Sequence, residues 1–262
     1  MINDILNNKV NRLFFVLAGI FITNALVAEF IGVKIFSFEE SLGFDSMNWT
    51  ILGVEDLGFN LTAGVLLWPV VFVMTDVINE YFGKRGVRIL SNFTVILILY
   101  AFVMIYFAIS LAPNAWWQSE SGLLSADPST HLSDMDLAFR KIFGQGLWII
   151  GGSLVAFLVG QFVDVLTFHK IKKITGEKKV WLRATGSTLV SQFIDSFVVL
   201  FIAFYIGADW DIVRVLAIGL VNYIYKFTLA ILLTPAIYLA HHWIDNYLGH
   251  TKAAQLKAEA AA

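Results

Sequence analysis

The stretch Leu61–Arg88 reads LTAGVLLWPVVFVMTDVINEYFGKRGVR, and its reading decides the fold. It opens as an apolar run long enough to enter a bilayer. Asp76, Asn79 and Glu80 arrive before the run has ended, and Lys84, Arg85 and Arg88 follow at once. Helical spacing brings Phe72, Asp76, Asn79, Glu80 and Gly83 close to one face. A membrane span that carries two carboxylates and an amide to a basic exit must turn them toward protein or water, because lipid offers no partner. The alternative is that both acids belong to an exit loop and pair with the neighbouring Lys84, Arg85 and Arg88.

Composition supports the membrane reading. The chain has 262 residues, of which 58% are hydrophobic and 15% charged, and its mean hydropathy is +0.74. A soluble domain is roughly half apolar and about a quarter charged. The net charge of -2 gives no basic field for a nucleic-acid partner. The absence of cysteine removes disulfides, thiolate metal sites and cysteine nucleophiles. The histidines show no metal-ligand spacing, so neither metal nor cofactor is expected. The adjacent His241 and His242 are expected in a solvated or interfacial position near a helix end.

Six spans are predicted, at about 13–33, 61–82, 89–112, 146–168, 184–207 and 213–240. The first is too long for a secretory leader. The fold class is therefore an all-α integral membrane protein, a single six-span domain. Two long extracytoplasmic loops separate the first span from the second and the third from the fourth. In the first loop, Ile35–Phe38 reads as short strands or a re-entrant cover. In the second, Trp116 and Trp117 suit an interfacial belt, Glu120, Asp127, Asp134 and Asp136 make it acidic, and 132–143 reads as an amphipathic surface helix. Gly151, Gly152 and Gly160 allow close helix packing. His169–Arg183 is the most basic loop, with Lys178 and Lys179 among its bases. Pro235 is expected to kink the last span. The tail, 244–262, is polar and then Ala-rich, with partial disorder expected.

Lys and Arg set the orientation. Thirteen of the eighteen fall on the side that holds both termini, including the run Lys170–Arg183. Lys34, Arg140, Lys141 and Arg214 fall on the other, and Lys226 lies within a span. Both termini should be cytoplasmic.

A polar layer lies deep in this arrangement. At about 1.5 Å per residue, Asp195 sits roughly 16 Å into a hydrocarbon core about 30 Å thick. Lys226 reaches similar depth from the other side, which makes the two an expected ion pair. Gln161 and Gln192 lie at comparable depth, Asn24 near the middle of the first span, and Asp164 and Asp76 nearer the cytoplasm. Thr188, Gln192 and Asp195 share a face, as do Gln161, Asp164 and Phe168, and Asn222 with Lys226. Interhelical glue accounts for one or two such groups at about 0.6 kcal/mol each. An acid–base pair, two glutamines and further acids on four spans point instead to a cavity for a small polar solute.

The segment WPVVFVMTDVINEYFGK, Trp68–Lys84, resembles the signature of the queuosine precursor transporters, a vitamin-uptake-type membrane family. Gly160–Asp164 with Phe168, Ser187–Thr188 with Asp195, and Asn222–Lys226 agree with it. Asn222 stands where some members carry an acid. The resemblance implies import of 7-deazaguanine precursors of queuosine, or queuine, across the cytoplasmic membrane. It implies a substrate site drawn from Asn24, Asp76, Asn79, Gln161, Asp164, Phe168, Gln192, Asp195, Asn222 and Lys226. Asp195 or Asp164 would accept the N–H edge of the base, and Gln161, Gln192 or Lys226 would serve its O6. Phe168, Phe193 or Tyr223 would stack on the ring.

The lipid bilayer and a 7-deazaguanine are the partners expected, and a second copy of the chain is allowed. No phosphate-binding G-x-x-x-x-G-K-[ST] loop is present, so energy comes from trapping of the substrate, from protons, or from an energising partner to which this chain is the binding subunit. A solitary transporter is favoured. An intramembrane enzyme built on Asp76 and Glu80 would need an activated nucleophile or metal cluster that the sequence lacks. A structural or signalling subunit would turn the same polar spans toward a partner and not toward a cavity.

Overall fold

Gly83 is where the deciding stretch turns. In the computed structural model, which describes residues 8–114, 117, 135–144, 147–176 and 180–261, helix runs from Trp68 to Ser110 with a single break at Gly83 (φ 65°, ψ -173°). That backbone favours glycine because a Cβ there is strained. The break folds the helix back on itself. The Gln161 amide touches both the Thr75 hydroxyl, through Nε2 at 3.2 Å, and the Ser91 hydroxyl, through Oε1 at 3.5 Å. An unbroken helix would hold Thr75 and Ser91 roughly 24 Å apart.

The helices are α1 (Lys9–Ile31), α2 (Phe38–Ser41), α3 (Trp68–Ser110), α4 (Met135–Phe143), α5 (Leu147–Thr175), α6 (Val180–Leu200), α7 (Ile212–Leu232), α8 (Thr234–Leu248) and α9 (His250–Ala261). Helix α6 continues as a π-helical turn, Phe201–Ile206. Among the described residues, five helical stretches are long and apolar enough to cross a membrane, and the folded-back α3 is one of them. The chain is a mostly helical, multi-pass membrane protein.

The expected span at 61–82 starts later. Leu61 belongs to a strand, Ala63–Leu66 is a 3-10 turn, and α3 begins at Trp68 with Pro69 in its first turn. Proline fits there because its missing N–H has no helical partner. No separate loop divides 61–82 from 89–112. Lys84, Arg85 and Arg88 are helical, and Gly83 alone makes the turn.

The first long loop carries β1 (Ile35–Ser37), β2 (Trp49–Ile51), β3 (Val54–Leu57) and β4 (Asn60–Thr62). β1 pairs antiparallel with β4, placing Phe36 opposite Leu61, and β2 pairs with β3. Leu52 (φ 53°) and Gly53 (φ 82°) make the β2–β3 turn in the left-handed region that suits hairpins. Glu39 is buried and its Oε1 accepts the Phe59 N–H at 2.8 Å. Phe38 and Phe59 both pack on Tyr225 of α7, at 5.7 and 6.2 Å between ring centroids. The loop is thereby tied down over α7.

Much of the expected basic loop 169–183 is helical. Helix α5 continues to Thr175 and α6 resumes at Val180. The span expected at 213–240 is two helices, because α7 ends at Leu232 and Pro235 starts α8 in its first turn. The tail is ordered helix, with Ala253 and Leu256 buried, and Ala260 lies against Gly83. Lys9 Nζ donates to the Tyr247 carbonyl at 3.1 Å, so the start of α1 and the end of α8 share one end of the bundle. Of the three glycines on α5, Gly152 meets the Val199 carbonyl and Gly160 meets Asp195, whereas Gly151 faces open space. Trp116, Glu120, Asp127, Asp134, Lys178 and Lys179 lie outside the described residues; of the expected surface helix, Met135–Phe143 is observed.

The outer surface is apolar in the way lipid requires. Ile89, Phe93, Ile96, Tyr100, Val103 and Phe107 form one exposed face on the second arm of α3, while Leu90, Thr94 and Ile98 turn inward. The first arm is buried at every position from Thr75 to Tyr81.

Candidate functional site

Two cavities share walls in the middle of the bundle. The larger, about 500 Å³, is lined by Trp68, Phe72, Asp76, Gln192, Tyr225 and Lys226, among others. The smaller, about 370 Å³, is lined by Thr75, Gln161, Asp164, Ser191 and Asp195 and shares Trp68, Phe72, Thr188 and Gln192 with its neighbour.

The aromatic wall comes from α3. Trp68 and Phe72 stand one turn apart and their rings stack, with centroids 6.1 Å apart and planes 21° off parallel. Asp76 follows one further turn along the same face.

Acceptors dominate the polar walls. Asp76 Oδ2 takes the Thr188 hydroxyl at 3.4 Å, and Asp164 Oδ1 takes the Ser191 hydroxyl at 3.3 Å. Asp76 Oδ1, Asp164 Oδ2 and Gln192 Oε1 are buried without a hydrogen-bond partner. Unpaired buried oxygens are costly, and these three belong to residues on the walls of the two adjoining cavities, where a ligand's donors could meet them.

Asp195 on α6 and Lys226 on α7 form the expected ion pair at 2.5 Å, with side chains 22% and 20% exposed. Lys226 faces the larger cavity and Asp195 the smaller. An acid already holding an ammonium is less available to a base edge than Asp76 or Asp164.

The remaining predicted residues divide. Asp76, Gln161, Asp164, Gln192, Asp195 and Lys226 all line these cavities. Asn79, Asn24, Phe168 and Asn222 line neither. Asn79 is buried beneath them, its Oδ1 against His169 Nε2 at 2.9 Å and its Nδ2 unpartnered. Asn24 spends its amide on its own helix, donating to the Ile20 carbonyl at 2.8 Å. Phe168 is core, 5.9 Å below the Arg183 guanidinium. Phe193 and Tyr223 pack on each other at 5.1 Å, also away from the cavities.

Glu80 has a different task from Asp76. It is fully buried and takes Arg183 in a two-pronged bond, Nε to Oε2 at 3.0 Å and an Nη to Oε1 at 2.6 Å. Lys172 Nζ adds a third contact at 3.3 Å. The bases it meets come from α5 and α6, not from the adjacent Lys84, Arg85 and Arg88.

A second knot lies beside it. Tyr81 donates to Asp245 Oδ1 at 2.6 Å, stacks on His241 at 5.4 Å, and carries Lys257 over its ring at 4.9 Å. Lys257 also bonds Asp245 Oδ2 at 2.9 Å. His241 is buried, so its expected solvated position is corrected, while His242 bonds Asn246 on the surface. Burial, then the Lys257 charge, holds His241 down at about 4. Burial raises the Asp245 carboxyl, but the bonds from Tyr81 and Lys257 outweigh it and leave it below its ordinary value.

The cavity-facing aromatics Trp68, Phe72 and Tyr225 are not among the residues predicted to stack. The signal was the four-residue spacing that aligns Trp68, Phe72 and Asp76, and Tyr225 directly precedes Lys226. Among the described residues no three His, Asp or Glu side chains gather to hold a metal ion.

Buried polar walls lining cavities inside a multi-span helical bundle are what a membrane transporter of polar solutes needs. Residues 62–240 match the family described as putative vitamin uptake transporter, and the chain belongs to it. A probable queuosine precursor transporter of Bacillus subtilis (strain 168) is 32% identical over 200 residues, covering 74% of this chain and 77% of that protein. One from Haemophilus influenzae is 29% identical over 196 residues, 74% of each chain. The queuosine precursor transporter of Escherichia coli (strain K12) is 26% identical over 195 residues, 74% of this chain and 78% of that one. No solved structure matches the chain.

Proposed function

We propose that this protein imports 7-deazaguanine-type queuosine precursors across the cytoplasmic membrane through six spans, with both termini in the cytoplasm. The sixth span is gained by counting the two arms of α3 separately. The Lys9–Tyr247 contact favours an even number of crossings, and the base asymmetry favours the cytoplasmic assignment of that end.

One observation carries the substrate reading: the unpartnered acceptors Asp76 Oδ1, Asp164 Oδ2 and Gln192 Oε1 belong to residues that line two adjoining cavities, both walled by stacked Trp68 and Phe72. A guanine-like edge offers an N1–H and an exocyclic amine, both donors, and a flat ring for the aromatic wall. Asp164 and Asp76 accept that edge, Gln161 or Lys226 serves O6, and Trp68, Phe72 and Tyr225 cover the ring. Asn79 supports the site from below. All the residues that line the cavities come from one chain, which fits a solitary transporter.

The test is uptake of radiolabelled precursors by cells unable to make them. Expression of this chain should restore queuosine in their tRNA. A correctly inserted chain that restores nothing with any 7-deazaguanine rules the reading out.

A further inference from the structure

We propose that the carrier moves one proton inward with each molecule of base, and that Asp76 and Asp164 together form the site that holds it. The proposal rests on the transport reading above. It starts from where the two carboxylates are placed. Thr188 and Ser191, which bond them, are three residues apart on α6, so they project as neighbours on one face. Asp76 and Asp164 therefore reach the same strip of α6 from α3 and from α5. They are 2% and 5% exposed, and each keeps one oxygen unpartnered.

The other titratable groups packed around them each have a partner of their own. On α6 and α7, Asp195 holds Lys226. Arg183 of α6 and Lys172 of α5 lie on Glu80 of α3. His169 of α5 faces Asn79, and Glu29 of α1 accepts the Ser153 hydroxyl of α5. Among the described residues no Lys, Arg or His forms an ion pair with Asp76 or Asp164.

Two like charges in so dry a place repel strongly, and one shared proton removes that repulsion. The remaining negative charge still accepts the N–H edge of a neutral base. Binding of the base expels the water that would screen a second charge, so base and proton bind cooperatively, and the coupling is reciprocal. The proton enters from the outer side onto the pair and leaves to the cytoplasm with the base. The carboxylates return to their starting state, and one proton has crossed per base.

The experiment uses the full chain in proteoliposomes with radiolabelled 7-deazaguanine as probe and an outside solution one pH unit more acidic than the lumen. A tenfold proton gradient should drive accumulation up to about tenfold above equilibration, abolished by a protonophore. A lumenal pH dye should report acidification when base is added without an imposed gradient. Uptake that reaches equilibration, ignores the gradient and carries no acid overturns the proposal.

A second measurement needs no ligand. A hydrophobic carbodiimide, which reacts with protonated buried carboxyls, should modify Asp76 or Asp164 at neutral pH. The modified peptide should disappear in Asp76→Asn or Asp164→Asn, as read by mass spectrometry. A natively folded chain modified at neither position also overturns the proposal. Modification without any uptake would leave the proton site standing and remove 7-deazaguanine as the cargo.

Discussion

Two ion clusters both draw on α6, one at Arg183 and one at Asp195, and do opposite work. The Glu80 cluster is closed: carboxylate and guanidinium are 0% and 1% exposed, geometry is two-pronged, and neither lines a cavity. The Asp195–Lys226 pair is about a fifth exposed and opens onto the cavities. Each pair cancels charge inside the bundle. What differs is whether space was left beside it. A salt bridge packed on all sides locks helices together, whereas one beside a void keeps charged groups in place for a visitor.

The largest effect should come from the closed cluster. Glu80→Gln leaves Arg183 and Lys172 buried with their carboxylate gone, a loss of about 3–5 kcal/mol for a broken buried pair. The expected outcome is a collapse of monodisperse yield and a much lower thermal transition in detergent. A variant that melts like the parent would show that the cluster is not a lock.

The open pair should cost less. Asp195→Asn strands Lys226, but water reaches it through the cavity, and a penalty of roughly 1–3 kcal/mol is expected. Asp195→Asn combined with Lys226→Met removes both charges and should recover part of the stability while transport stays absent. If the double variant is no better folded than the worse single one, the two clusters differ less than their geometry implies.

The same contrast explains what could be read from the chain alone. Asp195 and Lys226 were legible because each sits deep within an apolar run with no nearby partner of opposite charge, so depth alone matched them. Glu80 was not. Lys84, Arg85 and Arg88 follow it at helical spacing, and a local pairing is what neighbouring charges suggest. The true partners Arg183 and Lys172 lie about 100 residues away, and Gly83 turns the chain so that the adjacent bases point elsewhere. Asn24 and Asn222 looked like Gln161 in sequence, since depth does not say which side of a helix faces the cavity. The tail was misread for a related reason. Its weak apolar pattern packs as a helix that buries Ala253 and Leu256, with Gly83 leaving room for Ala260.

Gln161 tests the cavity without touching either ion cluster. Its amide bridges Thr75 and Ser91, the two arms of α3. Gln161→Leu should insert and fold, because a leucine of similar volume fills the place, and it should weaken precursor uptake by about five- to a hundredfold, or about 1–3 kcal/mol for one hydrogen-bonding group. Unchanged uptake with unchanged yield would take Gln161 out of the site. Lost yield would make it part of the lock between the arms.

The smallest effect is expected where α8 and α9 cap the closed cluster, and it depends on pH. Burial and the Lys257 charge hold His241 at about 4, below the ordinary 6.5 of a free imidazole. The docked cap therefore prefers the neutral ring, and a detached cap takes up the proton first. The sign follows: the cap's stability is complete above about pH 6.5, falls as pH drops toward 4, and is not lost on the alkaline side. Asp245 adds a loss in the same direction at still lower pH, since its docked carboxyl lies below its ordinary value. By pH 5 the expected weakening is about 1–2 kcal/mol, read as a several-fold rise in proteolytic clipping after Leu248. His241→Phe keeps a ring to stack on Tyr81 and cannot titrate, so clipping should become nearly independent of pH from 7.5 to 5. Equal acid sensitivity in that variant would move the switch to Asp245 and Lys257. It would also leave the His241–Tyr81 stack as packing alone.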